Sequence, residues 1–273
     1  MSKTVLITGA STGFGKLSAQ KFQAEGWNVI ATMRSPDKET ELTQLENVLV
    51  NRLDVTETES IAQAVKEGIE KFGSIDVLVN NAGYGTAGPV EAATDAEIRR
   101  QFEVNVFGLI NVTKAVLPQM RAQKSGVIIN ISSIGGRVAF PYFSLYHATK
   151  FAVEGLTDSM QYELNPLGIQ LKIVEPGGYN TDFGTRSLNV FDVSQAPDYQ
   201  AGVQKFFETM QNMMANDLAD PSEVSNIIYE AATDGKEQLR YLIGNDAVQM
   251  MELRKQVDDL TFKQTIAQQM GLA

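Results

Sequence analysis

The chain has 273 residues, a formal net charge of −10 at pH 7, no cysteine and one histidine. The acidic balance argues against nucleic acid or an anionic membrane as a partner. Without cysteine, disulfides, thiolate metal sites and thiol catalysis are excluded, and one histidine cannot build a multi-histidine metal centre, so we expect no metal. The apolar runs are short and no basic-then-apolar leader is visible, which predicts a cytoplasmic protein without a membrane span.

A glycine-rich turn follows the first apolar run. Residues 5–7 predict a buried strand, and the amphipathic stretch to about Glu25 predicts a helix. In such a unit, glycines let the backbone approach a pyrophosphate and the helix N-terminus offers free N–H groups. The spacing Gly-x3-Gly-x-Gly departs from the usual dinucleotide fingerprint, and a tight structural turn is the alternative. The candidate cofactor-binding residues of this turn are Gly9, Ser11, Thr12, Gly13, Phe14 and Gly15.

The residues after the second predicted strand, 28–32, bear on the choice of cofactor. An acidic residue about 20 positions past the glycines would bind a ribose 2′-hydroxyl and favour NAD. Met33, Arg34 and Ser35 stand there instead, and the planar guanidinium of Arg34 could pair with a 2′-phosphate. We therefore expect NADP, with NAD as the alternative. Arg34 as a solvated loop cation is the structural alternative.

Polar and small residues follow the third and fourth predicted strands, 48–51 and 75–79. Asp54 would accept a hydrogen bond from an adenine amino group or cap the helix that follows, for which Thr56 is the better cap. Small residues after the fourth strand would let a flat ring lie close to the backbone. The candidate cofactor-binding residues here are Asp54, Val55, Asn81, Ala82 and Gly83.

A long helical region is predicted over residues 95–121, with a kink near Pro118. Asn105 lies inside this region, where asparagine is unfavourable. It would either bend the helix by bonding its own backbone or point into a site. Spacing alone favours the structural role.

Tyr146 and Lys150 stand four residues apart in a predicted helix, 146–164, and therefore share one face. A nearby ammonium favours the phenolate, so we expect a lowered pKa for Tyr146 and proton transfer near neutral pH. Ser133 follows the apolar strand 127–131 at the edge where parallel sheets bind ligands. We interpret Ser133, Tyr146 and Lys150 as a catalytic centre and assign no role to His147.

A sixth strand, 170–174, ends in a Pro-Gly-Gly turn whose backbone could hold a nicotinamide amide, which adds Pro176 and Gly177 to the cofactor-binding candidates. A last strand is predicted at residues 240–243. The alternation of strands and helices predicts a single Rossmann-type α/β domain over residues 1–273. Its doubly wound parallel sheet would have about seven strands, with helices on both faces.

Residues 183–219 interrupt the alternation and contain apolar residues at helical spacing: Val203, Phe206, Phe207, Met210 and Met213 or Met214. Ordinary packing explains such a face, but a Met- and Phe-rich helix near the catalytic edge would also form an adaptable lid over an apolar substrate. A helix start is predicted at residues 220–223, and a helical tail at 246–273. The candidate substrate-pocket residues are Ile134, Val138, Phe140, Tyr179, Phe207 and Met210.

Together these segments resemble the short-chain dehydrogenase/reductase family in its compact one-domain branch. The resemblance covers roughly residues 4–182. The turn Thr8-Gly9-Ala10-Ser11-Thr12-Gly13-Phe14-Gly15 matches the family's Thr-Gly-x3-Gly-x-Gly pattern. Asn81-Ala82-Gly83, Asn105, Ser133, Tyr146-x3-Lys150 and Pro176-Gly177 follow in the family's order. The tail after residue 183 is longer than in many members of the family, and the chain as a whole most resembles the 17β-hydroxysteroid-dehydrogenase-like group.

The resemblance implies an oxidoreductase that transfers a hydride between NADP(H) and a hydrophobic ketone or secondary alcohol. Tyr146 would act as general acid or base, Lys150 would bind the nicotinamide ribose and lower the pKa of Tyr146, and Ser133 would polarise the carbonyl. Asn105 would anchor a water linked to Lys150, and Thr181 would help to hold the carboxamide. Pairing through the long helices would give a homodimer or homotetramer.

Two other classes of protein stay open at this point. A regulator could bind NADP without chemistry, but such relatives usually lose the tyrosine or lysine, and this chain keeps the full Ser, Tyr, Lys and Asn set. An epimerase or dehydratase with a retained cofactor also uses Tyr-x3-Lys. Those enzymes usually have a different glycine spacing and a larger substrate domain.

Overall fold

Strands and helices alternate along the chain, as the apolar pattern predicts. The structure is a computed structural model that describes residues 2–272, and for residues 213–217 it describes the backbone alone. The strands are β1 (Thr4–Ile7), β2 (Asn28–Met33), β3 (Val48–Arg52), β4 (Val77–Asn80), β5 (Gly85–Ala87), β6 (Gly126–Ile131), β7 (Ile169–Pro176), β8 (Leu188–Val190) and β9 (Arg240–Ile243). The helices are α1 (Gly13–Ala24), α2 (Thr58–Phe72), α3 (Asp95–Phe102), α4 (Leu109–Gln123), α5 (Ser144–Leu164), α6 (Gln200–Asp217), α7 (Ser222–Thr233), α8 (Asn245–Gln256) and α9 (Asp259–Gln269).

In the described chain, seven strands form one parallel sheet in the order β3-β2-β1-β4-β6-β7-β9. The direction of progress along the sheet reverses between β1 and β4, so their carboxyl ends border the crevice where open α/β sheets bind ligands. The doubly wound α/β fold is therefore confirmed. β5 and β8 form a separate two-stranded parallel sheet that the sequence pattern does not predict.

The pleat of the strands distributes their apolar side chains between two core layers. Val5 and Ile7 of β1 pack on the side of α1 and α7, where they meet Phe22 and Ile228. Leu6 points to the opposite face and packs with residues of α2, α4 and α5. Because both faces are covered by helices, the central strands consist almost entirely of buried apolar residues.

A third apolar cluster lies beyond the sheet and joins distant parts of the chain. Ile134 and Val138 from the segment after β6 pack with Phe206 of α6 and with Phe262 and Ile266 of α9. The C-terminal helices therefore pack against the segment that begins at Ser133. The insert at 183–219 is not wholly helical, because it also contains β8. Its predicted apolar face includes buried Val203 and Phe206, whereas the side chains of Met213 and Met214 lie outside the described residues.

The long helical region contains an irregularity that the sequence pattern does not locate. A π-helical segment, Glu103–Gly108, separates α3 from α4, and α4 continues through Pro118 to Gln123. The break therefore occurs around Asn105, where the backbone carries one extra residue per turn. No helix within residues 2–272 has the length and apolar character needed to cross a bilayer.

Candidate active site

The glycine turn after β1 has a backbone that side chains would disrupt. Gly9 and Gly13 have φ values of +68° and +53°, a left-handed conformation that favours glycine. A Cβ on Gly15 would overlap the carbonyl oxygen of Gly9 and lie 2.5 Å from Nδ2 of Asn81. The turn therefore presents bare backbone at the crevice between β1 and β4.

Asn81 ties the end of β4 to this glycine turn. Its Nδ2 donates to the carbonyl oxygens of Thr8 and Gly9 at 2.9 and 3.1 Å. In return, Thr8 Oγ1 accepts the N–H groups of Asn81 and Ala82, both at 3.0 Å. A Cβ on Gly83 would lie 3.3 Å from Oδ1 of Asn105. Asn81 thus holds the shape of the turn, a positional role that the sequence motif alone does not reveal.

The start of α1 fits the pyrophosphate of a dinucleotide. Within the described residues, the N-cap Thr12 makes no side-chain cap hydrogen bond, so first-turn N–H groups stay available to an anion. An open cleft there is lined by Gly13, Lys16 and Thr181. Next to it, the Phe14 ring packs edge-on against Tyr179 at a centroid distance of 5.7 Å. A glycine backbone without side chains and an uncapped helix end are the features that this cofactor group needs.

Arg34 and Asp54 follow β2 and β3 at the same edge of the sheet. Arg34 is exposed. Although burial raises the pKa of Asp54, hydrogen bonds from Thr56 and the charges of Arg34 and Arg52 lower it overall. Asp54 Oδ1 accepts from both Thr56 N and Thr56 Oγ1, while α2 begins only at Thr58. Thr56 is therefore not the helix cap that we expected. The neighbouring Val55 is buried against Gly108 of the π-helical segment.

The structure brings Ser133, Tyr146 and Lys150 together. Ser133 caps the short helical turn Ile134–Gly136, and its Oγ accepts the N–H of Gly135 at 3.0 Å. The Ser133 hydroxyl is near the buried Tyr146 hydroxyl, where it favours the ionised form of the phenol. Lys150 Nζ donates to the carbonyl oxygen of Ile131 at 2.8 Å and lies 5.7 Å from the centre of the Tyr146 ring.

The expected lowering of the Tyr146 pKa is wrong. Burial raises the pKa of Tyr146 to about 12, and the nearby Ser133 hydroxyl opposes this only in part. Burial also lowers the pKa of Lys150 to about 8, against the charge of Glu154. Both shifts have one cause, because an enclosed site disfavours the charged form of each group. Tyr146 is therefore a phenol that stays protonated across neutral pH.

Asn105 contacts the backbone of Tyr84 and the side chain of Thr149. Its Oδ1 accepts from Tyr84 N at 3.1 Å, and its Nδ2 donates to Tyr84 O at 2.9 Å and to Thr149 Oγ1 at 3.1 Å. Thr149 in turn donates to the carbonyl oxygen of Tyr146 at 2.7 Å. Asn105 therefore both accompanies the break in the helix and braces the helix that carries Tyr146.

Five of the six candidate pocket residues lie in the third apolar cluster. Ile134 and Val138 are buried there, and Phe140, Phe207 and Met210 pack against them. Tyr179 is the exception. It is buried in the cluster on the α1 and α7 side, and its hydroxyl donates to Glu223 of α7 at 3.3 Å. Tyr179 therefore lies apart from the other five candidates.

The tail holds the Pro-Gly-Gly turn after β7 through a residue that sequence reasoning missed. The Gly178 N–H donates to Asp246 Oδ2 at 2.7 Å, and the Gly177 N–H donates to Ile243 O at 2.9 Å. A Cβ on Gly177 would overlap the Asp246 carboxylate. An acidic residue in the first turn of a helix is the signal that could have indicated an interaction with nearby N–H groups. Opposite, Thr181 Oγ1 accepts from Phe183 N at 3.3 Å and faces Gly13.

The fold and the glycine turn define a nucleotide-binding α/β protein, and comparisons with known proteins identify its class. The family model for short-chain dehydrogenases matches residues 3–190. A 3-ketodihydrosphingosine reductase of Bacteroides thetaiotaomicron is 44% identical over 196 residues, which is 71% of each chain. The chain belongs to the short-chain dehydrogenase family and is an oxidoreductase.

Two solved structures support the same conclusion. A short-chain dehydrogenase from Streptomyces avermitilis superposes with a TM-score of 0.85 at 35% identity, covering 99% of this chain and 98% of its own. The protein ElxO, solved with NADP bound, has a TM-score of 0.75 at 29% identity and covers 91% of this chain and 100% of its own. A nicotinamide dinucleotide is therefore the cofactor class of this fold and site.

Proposed function

We propose that this chain is an NADP-dependent carbonyl reductase that acts on hydrophobic ketones, with the corresponding secondary alcohol as product. The observation that carries the proposal is the grouping of half-buried Ser133, buried Tyr146 and Lys150 at the edge of the sheet that carries the glycine turn. When bound, the nicotinamide cofactor supplies the hydride. The residues of this chain donate the proton, polarise the carbonyl and position the cofactor.

Tyr146 is the proton donor in this proposal. Its pKa of about 12 keeps the hydroxyl protonated at neutral pH, so a proton is available to the carbonyl oxygen as negative charge develops there. Ser133 donates a second hydrogen bond to the same oxygen. The raised pKa leaves little Tyr146 phenolate at neutral pH, and phenolate is the form that alcohol oxidation would need as its base.

Lys150 and the backbone turns position the cofactor. The Lys150 ammonium lies at the end of β6 and would bind the hydroxyls of the nicotinamide ribose. Gly9, Gly13 and Gly15 would hold the pyrophosphate, and the turn at Pro176 and Gly177 would hold the carboxamide, with Thr181 opposite. The remaining candidates at this edge are Ser11, Thr12, Phe14, Asp54, Val55, Asn81, Ala82 and Gly83.

The proposed preference for NADP is supported by the positive charge of Arg34. The proposed preference for an apolar substrate is supported by the apolar side chains next to Ser133. Arg34 is an exposed cation after β2, where a 2′-phosphate would lie, and ElxO was solved with NADP. Ile134, Val138, Phe140, Phe207 and Met210 place an apolar cluster next to Ser133. The name of the Bacteroides relative describes the reduction of a keto compound.

The test is oxidation of NADPH and NADH against a panel of aliphatic, aromatic and steroidal ketones, with Tyr146→Phe as the matched variant. We expect turnover of at least one bulky ketone with NADPH, and a loss of roughly 10²- to 10⁴-fold in kcat for Tyr146→Phe, because it removes only the acid. NADPH binding, measured by fluorescence, should be nearly unchanged. Unaltered turnover in Tyr146→Phe would reject the mechanism. If no ketone of the panel is reduced although NADPH still binds, a cofactor-sensing role would be favoured.

A further inference from the structure

His147 is buried beside Tyr146 and contacts the backbone of the loop that carries Ser133. Its exposed fraction is 5%. His147 Nδ1 lies 2.8 Å from the carbonyl oxygen of Gly135. At the other end of the ring, Nε2 accepts the N–H of Phe140 at 2.9 Å. One imidazole therefore bridges two backbone groups that are five residues apart in the loop.

These partners determine the protonation state of the ring. The Phe140 N–H can only donate, so Nε2 must be the acceptor and Nδ1 must carry the hydrogen. Nδ1–H then donates to the Gly135 carbonyl oxygen. Both ring nitrogens are used, and the neutral tautomer is the one that satisfies both backbone groups.

The Gly135 peptide connects this ring to Ser133. Its carbonyl oxygen accepts from His147, and the N–H of Gly135 donates to Ser133 Oγ at 3.0 Å. A Cβ on Gly135 would lie 2.7 Å from His147 Nδ1, so the ring fits only because residue 135 is glycine. Because Ser133 Oγ accepts from the Gly135 N–H, its own hydrogen points away from that N–H and can be donated to another acceptor.

We propose that His147 is a positioning residue that orients the Ser133 hydroxyl toward the substrate carbonyl through the Gly135 peptide. The chain of contacts runs from the imidazole to the Gly135 carbonyl oxygen and from the Gly135 N–H to Ser133 Oγ. Ser133 in turn is near the buried Tyr146 hydroxyl. The inference rests on the proposed reductase function, because it assigns His147 an effect only through Ser133.

The aromatic packing of His147 allows its nitrogens to be removed without emptying the site. The ring packs against Phe140, Phe143 and Tyr146 at centroid distances of 5.5, 6.0 and 5.8 Å. His147→Phe keeps an aromatic ring there but leaves the Gly135 carbonyl and the Phe140 N–H without their partner. His147→Gln keeps both a donor and an acceptor on a side chain of similar reach.

The experiment is a double-mutant cycle of His147→Phe with Ser133→Ala, measured as kcat for ketone reduction alongside NADPH affinity. In the wild-type background we expect His147→Phe to lower kcat on the order of tenfold or more, because small misplacements of a reacting group are costly. NADPH affinity should stay within about twofold, and His147→Gln should recover much of the loss. In the Ser133→Ala background the effect of His147→Phe should nearly vanish, because the hydroxyl to be oriented is gone.

The outcomes separate this inference from the function on which it rests. Full activity in Ser133→Ala would overturn the proposed catalytic role of Ser133. A slow Ser133→Ala enzyme in which His147→Phe causes the same fold loss as in wild type would overturn the role of His147 alone. If Ser133→Ala is too slow for the cycle, equal losses in His147→Phe and His147→Gln would also overturn it, whereas selective recovery by glutamine would support it.

Discussion

Lys150 donates a hydrogen bond of 2.8 Å from Nζ to the carbonyl oxygen of Ile131, the last residue of β6. This contact fixes the catalytic helix α5 against the carboxyl end of a central strand. On the same face of α5, Tyr146 precedes Lys150 by one turn and Glu154 follows it by one turn. The buried charge of Glu154 is therefore in a position to influence Lys150.

The first prediction concerns the pH dependence that Glu154 imposes through Lys150. The pKa of Lys150 is about 8, and the negative charge of Glu154 raises it against the effect of burial. Burial raises the pKa of Glu154 itself to about 7, so Glu154 is mostly ionised at pH 8. We expect kcat/KM for reduction to fall as pH rises through about 8, where Lys150 loses the charge that we propose binds the ribose.

Glu154→Gln removes a charge that raises the Lys150 pKa, so this falling limb should move to lower pH. Asp158→Asn is the matched control, because Asp158 pairs with the same Arg240 as Glu154 does but lies one turn further along α5. That variant should leave the limb in place. pH–rate profiles of the two variants check the prediction, and an unmoved limb in Glu154→Gln would remove Lys150 as its origin.

The second prediction tests the backbone cradle at the glycine turn. Gly15→Ala would drive a Cβ into the Gly9 carbonyl and the Asn81 amide, so NADPH affinity should fall at least roughly tenfold as the turn is displaced. Gly155→Ala is the matched control, since a Cβ at this exposed position of α5 meets nothing within 4 Å. It should bind NADPH normally and raise the free energy of unfolding by about 0.5–1 kcal/mol. Fluorescence titration measures the NADPH affinities, and thermal melts measure the stabilities. Equal NADPH affinities in the two variants would contradict the assignment of the glycine turn to cofactor binding.

The third prediction tests Arg34 as a determinant of cofactor preference. A charge-assisted hydrogen bond is worth about 1.5–3 kcal/mol, so Arg34→Asp should lower the NADPH-to-NADH ratio of kcat/KM by roughly ten- to a hundredfold. Arg52→Asp makes the same charge change at the end of β3, where Arg52 pairs with Glu57 at 2.8 Å. It should leave the ratio nearly unchanged. A ratio that responds equally to both variants would indicate a general field effect rather than contact with a 2′-phosphate.

Local patterns were enough to predict the sheet and the placement of most site residues. Buried parallel strands are continuous apolar runs, and the residues that follow them necessarily meet at one edge, which is why Ser133 and the glycine turn could be placed there. The spacing of Tyr146 and Lys150 likewise specifies a shared helix face.

Properties that depend on distant contacts could not be predicted in this way. The pKa of Tyr146 follows from the enclosure of the site, which the neighbouring lysine does not overcome. Tyr179 is buried in the cluster on the α1 and α7 side, where it bonds to Glu223, forty-four residues further along the chain. The bridging role of His147 depends on the positions of the backbone groups of residues 135 and 140 in the loop. The periodicity of the sequence does not predict these positions.

The last prediction tests whether residues of α6 cover the substrate or belong to the apolar core. Phe206 is 1% exposed and sits inside the third apolar cluster, so Phe206→Ala should cost about 3–5 kcal/mol of unfolding free energy. Phe207, the next residue, is only half-buried and packs on the rim of the same cluster. If α6 covers the substrate, Phe207→Ala and Met210→Ala should reorder kcat/KM among ketones of different size while the melting temperature changes less than in Phe206→Ala. Loss of stability with an unchanged order would instead make this face part of the core, because a packing residue affects every substrate alike.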